Sequence, residues 1–352
     1  MRRLPFVLLG LAITMALVCL LSPCKGRCAN LPASLGPAQV RPGAESGPTK
    51  VSIGVWLTDV LGIDSASDGF RANFVVGARW RDPRLVHNQP GVMRYNLEDI
   101  WHPDLIVVNA TGTVSRSLPQ IVEVAGDGTV TYRQRIGGSF AQPLDLRSFP
   151  FDHATFRIQA ICVDQAPTEI HFVPSELMVA AGYPDGVGIA KKLTLQDWRV
   201  TGFTANALPY EIAPGVEYAG YAFEFRAERL KQHYVIKVII PLLLIVMMSW
   251  LVFWIDPSMG GEQISVAITS MLTLIAYRFA VGSEVPRLPY LTDLDAFILV
   301  SSMLVFLALV EVVITSMLYF KERKHLARAI DRQCRWIFPI VFIGLTATIL
   351  LT

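Results

Sequence analysis

Hydrophobic residues are concentrated at the two ends of the chain, and the stretch between them is polar and interrupted by Pro and Gly. An apolar helix needs about 20 residues to cross the hydrocarbon core of a bilayer. We predict four such spans after the polar stretch, at about residues 234–255, 261–281, 294–319 and 336–351. The pattern therefore predicts a polar domain at residues 51–232, followed by a four-helix transmembrane domain at residues 233–352.

Short alternating runs through the polar stretch predict β-strands. The first two runs, VSIGVWLTDVLGI and FRANFVVGARW, flank a predicted turn at residues 64–68. Asp-Gly and Pro-containing turns separate the later candidates, at residues 104–109, 121–124, 130–136, 155–161, 169–172, 198–205 and 218–229. This spacing is typical of an antiparallel β-sandwich, and no long amphipathic helix interrupts it.

The first residues have the pattern of a secretory signal. Two Arg residues precede an apolar run, and we expect cleavage near Ala29, which makes residues 1–29 a signal peptide. A lipoprotein anchor at Cys24 is the less favoured alternative, because the preceding Pro23 suits it poorly. Residues 30–50 are rich in Pro, Gly, Ala and Ser and predict a flexible leader.

The most basic short segment, KERKHLARAIDRQCR, lies between the third and fourth predicted spans. Basic residues concentrate in the cytoplasmic loops of membrane proteins, so we predict a short cytoplasmic loop at residues 320–335. A cleaved signal peptide also places the β-domain outside the membrane. Both observations predict an integral membrane protein whose N-terminal domain is periplasmic or extracellular.

Composition and motifs argue against several classes of protein. Hydrophobic residues make up 52% of the 352 residues, and a formal net charge of +2 is too small to predict a nucleic-acid partner. Of the five cysteines, only Cys162 and Cys334 lie outside the predicted signal peptide, so we expect no disulfide framework. The sequence contains no nucleophile-elbow, zinc-protease or phosphate-loop motif, and its six His residues lack ligand spacing. We therefore expect no catalytic residue, no bound metal and no cofactor.

One face of the second predicted span carries small hydroxyl side chains within an apolar run. Residues spaced alternately four and three apart share a helical face, and here they are Ser265, Thr269, Leu272, Ala276 and Phe279. Glu262 lies at the start of the same helix. Hydroxyls can replace part of an ion's hydration shell, an apolar ring can gate by dewetting, and a carboxylate ring selects cations. The alternative is that the hydroxyls only form hydrogen bonds with neighbouring helices.

Several short motifs occur in a fixed order along the chain. They are W-x-D-P-R-L at residues 80–85, W-x-P-D at 101–104, F-P-F-D at 149–152, Arg229 before the first span, and P-R-L-P-Y at 286–290. Together these motifs resemble the pentameric ligand-gated ion channels, the Cys-loop receptor superfamily, and most closely its bacterial members. The resemblance extends from the first predicted strand to the C-terminus.

The resemblance implies a homopentamer around a central pore, embedded in the lipid of a bacterial inner membrane. The Gly-Gly-Glu sequence ending at Glu262 resembles the family's cation-selective pattern and implies permeating monovalent cations, whereas Arg278 favours the opposite selectivity. A small-molecule agonist or protons would open the channel. The alternatives are an anion-selective member of the family and a membrane-anchored sensory or binding protein that does not conduct.

The resemblance also implies a coupling zone between the β-domain and the helices. A shielded ion pair between Asp152 and Arg229 suits this zone, because loss of one partner would strand the other charge. The alternative for Arg229 is an interfacial side chain that extends its charge to water. The residues assigned to the zone are Asp64, Phe149, Pro150, Phe151, Asp152, Arg229, Pro286, Arg287, Pro289 and Tyr290.

The family's ligand site lies between subunits. The residues that match its loops are Trp101, Asn109, Asp164, Tyr210, Glu217, Tyr218 and Tyr221. The tyrosines suit an aromatic cage around a cation, although Tyr is also an ordinary strand residue. Ile106, Ile161 and Val163 stand where amine-gated relatives have carboxylates and an aromatic residue, which argues against a primary amine as the agonist.

Overall fold

Two β-sheets packed face to face form the N-terminal domain. The structure is a computed structural model that describes residues 40–65, 68–163, 165–183, 185–282 and 288–351. The predicted signal peptide and part of the predicted leader lie outside these residues. In chain order the strands are β1 (Thr49–Asp64), β2 (Gly69–Arg81), β3 (Met93–Asn96), β4 (Leu105–Val107), β5 (Ser115–Arg116), β6 (Ile121–Val124), β7 (Thr129–Ala141), β8 (His153–Cys162), β9 (Ile170–Pro174), β10 (Val187–Ile189), β11 (Trp198–Ala207), β12 (Tyr210–Ala213), β13 (Val216–Tyr218) and β14 (Gly220–Arg229).

The larger sheet has the order β10-β1-β2-β7-β6-β3, with β5 added to β7 and β9 added to β1. The second sheet has the order β11-β14-β8-β4, and β12 and β13 form a separate hairpin. Neighbouring strands are antiparallel, except that β9 and β10 both run parallel to β1. The prediction of a β-sandwich is confirmed, but its antiparallel character is incomplete. The chain reaches β9 by a connection from β8 in the other sheet, and it reaches β10 from β9 through the short helix at Glu176–Ala180; neither connection is a tight hairpin, so parallel pairing with β1 is possible.

Side chains that alternate between the buried and the exposed face of each strand build the core of the sandwich. In β2, every second side chain is buried along nearly the whole strand. Aromatic rings from both sheets meet there: the centroid of Phe70 lies 5.2 Å from Phe156 and 5.5 Å from Phe225. Phe156 and Phe225 are themselves stacked at 5.0 Å. These contacts join the two sheets into one hydrophobic core.

Four long helices follow the β-domain in the described part of the chain, and a short helix α1 (Glu176–Ala180) lies within it. The long helices are α2 (Gln232–Trp254), α3 (Gly260–Val281), α4 (Asp293–Phe320) and α5 (Lys324–Leu351). The first three of these are long and apolar enough to cross a membrane. Helix α3 packs against α2 and α4, and α5 packs along α4.

The first half of α5 occupies the region where we predicted a cytoplasmic loop. The helix begins at Lys324, so only residues 321–323 separate it from α4, and most of the segment predicted as a loop, residues 320–335, is helical. Ala327, Asp331 and Phe342 are buried on one face of the helix. Packing of that face stabilises helical structure through a segment whose charges alone indicated a solvated loop.

Candidate functional site

Helix α3 has one buried face and one exposed face. The buried side chains include Gln263, Ala267, Ser270, Leu274 and Val281. The opposite face carries the side chains predicted to line a pore, all of them exposed in the single chain: Glu262, Ser265, Thr269, Leu272, Ala276 and Phe279. The helical period has therefore brought all six onto the free side of the helix, with charge at its first turn and large apolar groups toward its other end.

The hydroxyl groups on the exposed face donate to their own helix. Ser265 Oγ donates to the Gly261 carbonyl at 2.8 Å, and Thr269 Oγ1 donates to the Ser265 carbonyl at 2.7 Å. Thr273, an exposed residue that the sequence analysis missed because it lies one position off the stripe, repeats the pattern toward Thr269 at 2.8 Å. A hydroxyl that donates to its own helix keeps its oxygen lone pairs available to an outside partner. This face can therefore offer oxygen ligands to a cation.

An ion pair lies at the junction of the β-domain and the helices. Arg229, the last residue of β14, donates to both carboxylate oxygens of Asp152, at 2.7 Å from Nε and 3.0 Å from Nη2. The two side chains are only 5% and 2% exposed. Nη2 also donates to Ser65 Oγ at 3.1 Å, so the β1–β2 turn beside Asp64 joins the same network. The guanidinium is thus fully engaged rather than extended toward water.

Aromatic rings enclose the Arg229 guanidinium. Its central carbon lies 4.3 Å from the ring centroid of Trp198 and 4.9 Å from that of Phe149. The Phe149 ring also meets Tyr234 of α2 at 4.8 Å. Such rings attract the cation and exclude water, which strengthens the ion pair they cover.

The loop between β7 and β8 contacts the start of α4. The backbone N–H groups of Asp293 and Leu294 donate to the carbonyls of Arg147 and Phe149, at 2.8 and 3.1 Å. The Tyr290 hydroxyl accepts a hydrogen bond from the Leu146 N–H at 3.1 Å and donates one to the Leu144 carbonyl at 3.4 Å. The first N–H groups of a helix have no partner within the helix, and here the β-domain supplies part of what they need.

The other predicted coupling residues are distributed around this contact. Pro150 is buried beside Phe149, and the Lys231 ammonium lies 5.4 Å from the ring centroid of Phe151. Pro289 is exposed next to Tyr290. The predicted residues Pro286 and Arg287 lie outside the described residues.

A cleft of about 690 Å³ lies between the β11–β12 connection and the ends of β4, β7 and β8. Two of the predicted ligand residues, Asn109 and Tyr210, line it together with Arg157 and Gln159. The Asn109 amide is used to build the wall: it donates to the Ala141 and Arg157 carbonyls at 3.1 and 2.7 Å and accepts from the Gln159 N–H at 3.1 Å. Tyr210 supplies an exposed ring at the rim.

The predicted aromatic cage is not assembled within one chain. Tyr210 and Tyr218 face each other across the β12–β13 hairpin, with the exposed Glu217 beside them. Tyr221 is instead buried in the sandwich, where its hydroxyl donates to the Asp185 carbonyl at 3.3 Å and burial raises its pKa. The ring of Trp101 is buried against Trp80, 5.7 Å away in an edge contact. The predicted Asp164 lies outside the described residues.

Comparison with known families accounts for this combination of β-sandwich and apolar helices. A model of the neurotransmitter-gated ion-channel ligand-binding domain matches residues 37–202, and a model of the transmembrane region of the same channels matches residues 238–326. The chain belongs to this ligand-gated ion-channel family. A proton-gated ion channel from Gloeobacter violaceus is 28% identical over 302 residues, which cover 84% of this chain and 81% of the relative.

Membership of the neurotransmitter-gated channel family confirms three predictions from the sequence. The chain is a Cys-loop superfamily member, its family consists of channels and not of enzymes, and it is an integral membrane protein with its N-terminal domain outside. The sequence analysis missed Ser65 and Trp198, which both contact the Arg229 guanidinium. Trp198 could have been suspected, because antiparallel pairing of β11 with β14 sets it directly opposite Arg229.

Proposed function

We propose that this chain forms a homopentameric channel for monovalent cations, with the exposed face of α3 lining the pore. The observation that carries the proposal is the chemistry of that face. It begins with the carboxylate of Glu262 and continues with the hydroxyls of Ser265 and Thr269, all of them exposed. Ionisable side chains in membrane-spanning helices face a bundle interior or a water-filled cavity, not lipid. Five copies around a central axis would supply such a cavity.

In the proposed channel, α5 is the fourth membrane span. Its first half packs on α4 and carries most of its charged residues, and its second half, from Trp336 onward, is apolar. Exposed apolar side chains such as Trp336, Ile340 and Ile343 are compatible with a lipid-facing surface. This span would return the C-terminus to the outside of the inner membrane.

Cation selectivity is supported by two features of α3. Glu262 would place a ring of carboxylates at the cytoplasmic mouth, which lowers the energy of a cation and raises that of an anion. The back-bonded hydroxyls of Ser265 and Thr269 present oxygen lone pairs, which are ligands for cations. The second candidate, an anion-selective channel, is favoured by the exposed Arg278.

Two observations each support a different stimulus for opening the channel. Protons are supported by the relative from Gloeobacter violaceus, which carries the name of a proton-gated ion channel. A small ligand is supported by the cleft of about 690 Å³, whose lining contains the polar side chains of Arg157, Glu211 and Tyr210. Either stimulus would act on the pore through the Asp152–Arg229 junction.

Single-channel recording from purified protein in a planar lipid bilayer tests the proposal. We expect step-like currents when the outer pH is lowered or when a ligand fills the cleft, with a reversal potential near the cation value in asymmetric salt. A reversal potential near the chloride value would assign the channel to the anion-selective class. A pentamer that never conducts under either stimulus would favour the sensory or binding alternative.

Two cysteine variants show whether α3 lines the conducting path. Thr269→Cys places a thiol on the exposed face, and Ser270→Cys places one on the adjacent buried face. A charged thiol reagent should block current through the first variant and leave the second unchanged. The wild-type protein is the control for Cys162, which is buried, and Cys334, which is partly buried. Equal block of both variants would contradict a pore along this face.

A further inference from the structure

A buried pair of carboxyl groups joins α3, α4 and α5 near the cytoplasmic end of the membrane domain. Glu311 of α4 and Asp331 of α5 are 8% and 1% exposed. Their carboxyl groups interact with each other, and that of Asp331 also interacts with the side chain of Gln263 on α3. Ionisable residues in such positions are costly, and they usually mark function.

Hydrogen-bond acceptors exceed donors around this pair. The Gln263 Nε2 donates to the Ile255 carbonyl at 2.9 Å and to the Val252 carbonyl at 3.4 Å, which fixes the amide and turns its Oε1 away from them. Gln263 is only 1% exposed. Within the described residues, no well-aligned hydrogen bond is donated to its Oε1 or to any of the four carboxylate oxygens of the pair. The thiol of Cys334, which interacts with Glu311, is only a weak donor.

The charged groups that face the pair leave it short of one positive charge. Arg335 attracts Asp331, but its Nε already donates to the Phe253 carbonyl at 2.8 Å. Asp256, in the connection between α2 and α3, repels Asp331 and is itself paired with Arg328 at 3.6 Å. One guanidinium can balance one carboxylate. Two adjacent carboxylates cannot both stay ionised in a buried site, so the second requires a proton.

We propose that Glu311 and Asp331 form a binding site for one shared proton on the cytoplasmic side of the membrane domain. The O–H of one carboxyl donates to the other group and supplies the donor that the cluster lacks. Loss of this proton leaves two negative charges beside the Gln263 side chain, and they draw its amide N–H groups away from the Val252 and Ile255 carbonyls. The adjacent residue is Glu262, so the proton would set the position of the predicted selectivity ring. Only this last step rests on the proposed function.

Infrared spectroscopy of the purified full chain in lipid tests the shared proton directly. A protonated carboxyl has a carbonyl-stretch band that a carboxylate lacks, and we expect a buried, slowly exchanging one at neutral pH. Glu311→Gln should remove the band, because its amide N–H takes the place of the proton, and Asp331→Asn should remove or shift it. Glu322→Gln, at an exposed position in the turn before α5, is the matched control and should leave the band unchanged. No such band in the wild type, or one indifferent to both substitutions in the pair, would overturn the proposal.

Thermal unfolding gives a second measurement that needs no current. Alkaline pH should lower the Tm of the wild type more than that of Glu311→Gln, because only the wild type loses the proton. An equal fall in both proteins would count against the site. A Tm that follows the Na⁺ or K⁺ concentration instead of pH would assign the pair to a metal cation and overturn the proton assignment.

Inside-out patches test the link to the pore. Raising the cytoplasmic pH should change the open probability of the wild type and leave Glu311→Gln unaffected. Identical responses in both proteins would disprove this link while leaving the infrared result to decide the proton. If neither protein conducts, the proposed function fails, and the shared proton is still tested by its band.

Discussion

Arg229 connects three segments of the chain through a single guanidinium group. It binds the carboxylate of Asp152 in the F-P-F-D motif, the hydroxyl of Ser65 in the β1–β2 turn, and the faces of Phe149 and Trp198. It also lies three residues before the start of α2, at Gln232, so we expect a displacement of its partners to be passed to a membrane helix. At the scale of single residues, we expect a change in the β-domain to reach the membrane helices through this side chain.

Neutralising one member of the Asp152–Arg229 pair should be nearly as damaging as neutralising both. Asp152→Asn leaves a buried Arg charge without its partner, and we expect a loss of about 3–5 kcal/mol in the free energy of unfolding, with impaired opening. Arg229→Gln should cost a similar amount. A double-mutant cycle on stability should show a coupling of about 3–5 kcal/mol, because the double variant loses about as much as either single one, and a cycle on half-maximal opening should also depart from additivity.

The Arg157–Glu224 pair offers a matched control for the stability part of this cycle, but not for opening, since Arg157 also lines the cleft. It has a comparable contact distance, 2.6 Å, but its side chains are 50% and 24% exposed. Solvent screens such pairs, so we expect its coupling to stay below about 1 kcal/mol. If the Asp152–Arg229 cycle gave no more coupling than this surface pair, Arg229 would be only an anchor at the membrane interface.

Tyr290 provides a second contact between the β-domain and the helices, at the start of α4. Tyr290→Phe removes the acceptor of the Leu146 N–H, and an unpaired buried donor costs about 1–3 kcal/mol. We expect the variant to fold as a channel but to require more ligand or more protons for half-maximal opening. Dose-response curves measure this shift.

Tyr132→Phe is the control for the Tyr290 prediction. Its buried hydroxyl accepts a hydrogen bond from Gln134 Nε2 at 3.4 Å, inside the β-domain and away from the coupling loop. We expect this variant to lower the Tm without the same shift in opening. If both phenylalanine variants shifted opening equally, the Tyr290 hydrogen bonds would contribute stability and not coupling.

At the scale of whole elements, the sequence predicts helices and strands best where burial follows a single helical or strand period. Spacings of four and three residues were enough to find the exposed face of α3, and alternation was enough to find most strands. The period does not say which of several tyrosines faces the core. Tyr221 was assigned to a ligand cage, but it lies on β14, where the sheet directs its ring inward against Phe172 at 6.2 Å.

Charge was a poorer guide to element boundaries than burial. The basic segment after α4 indicated a solvated loop, yet Ala327 and Asp331 face the helix bundle and extend α5 by three turns. A buried Asp within a basic segment is not expected from composition, because its burial depends on the partner Glu311 on another helix. Long-range contacts of this kind cannot be read from local pattern.

Helix α3 leads to a prediction about the closed state. Leu272 is exposed on the predicted pore face, two turns before Phe279, and five such side chains would form an apolar ring. An apolar constriction excludes water and ions, whereas a hydroxyl permits wetting. Leu272→Ser should therefore raise spontaneous opening, measured as current without stimulus, and shift the dose-response curve to lower concentrations.

Leu274 provides the comparison for the Leu272 prediction. Leu274→Ser changes the same side chain on the buried face of α3, so it should lower stability without producing leak current. Unchanged leak and dose response in a well-expressed Leu272→Ser protein would place the gate elsewhere along the helix.

At the scale of the whole molecule, the described residues show two links between the β-domain and the helices. Strand β14 continues through Arg229 into α2, and the loop carbonyls of Arg147 and Phe149 accept hydrogen bonds from the start of α4. Helix α3 packs between α2 and α4. A tilt of the β-domain would therefore move α3 through its two neighbours, which explains how a stimulus outside the membrane could open a pore within it.

The charge selected by the assembled pore gives the last prediction. Glu262 is exposed at the first turn of α3, and a ring of five such carboxylates would concentrate cations in a confined, low-dielectric entrance. Glu262→Gln should reduce the unit current and move the reversal potential in asymmetric salt toward zero. The reduction should be largest at low ionic strength, because dissolved salt screens the ring within about 10 Å at 0.1 M. Glu322→Gln removes an exposed carboxylate from the same side of the membrane but not from the pore face, and should change neither quantity. A wild-type reversal potential at the chloride value would contradict cation selectivity, and Arg278 would then become the residue to neutralise.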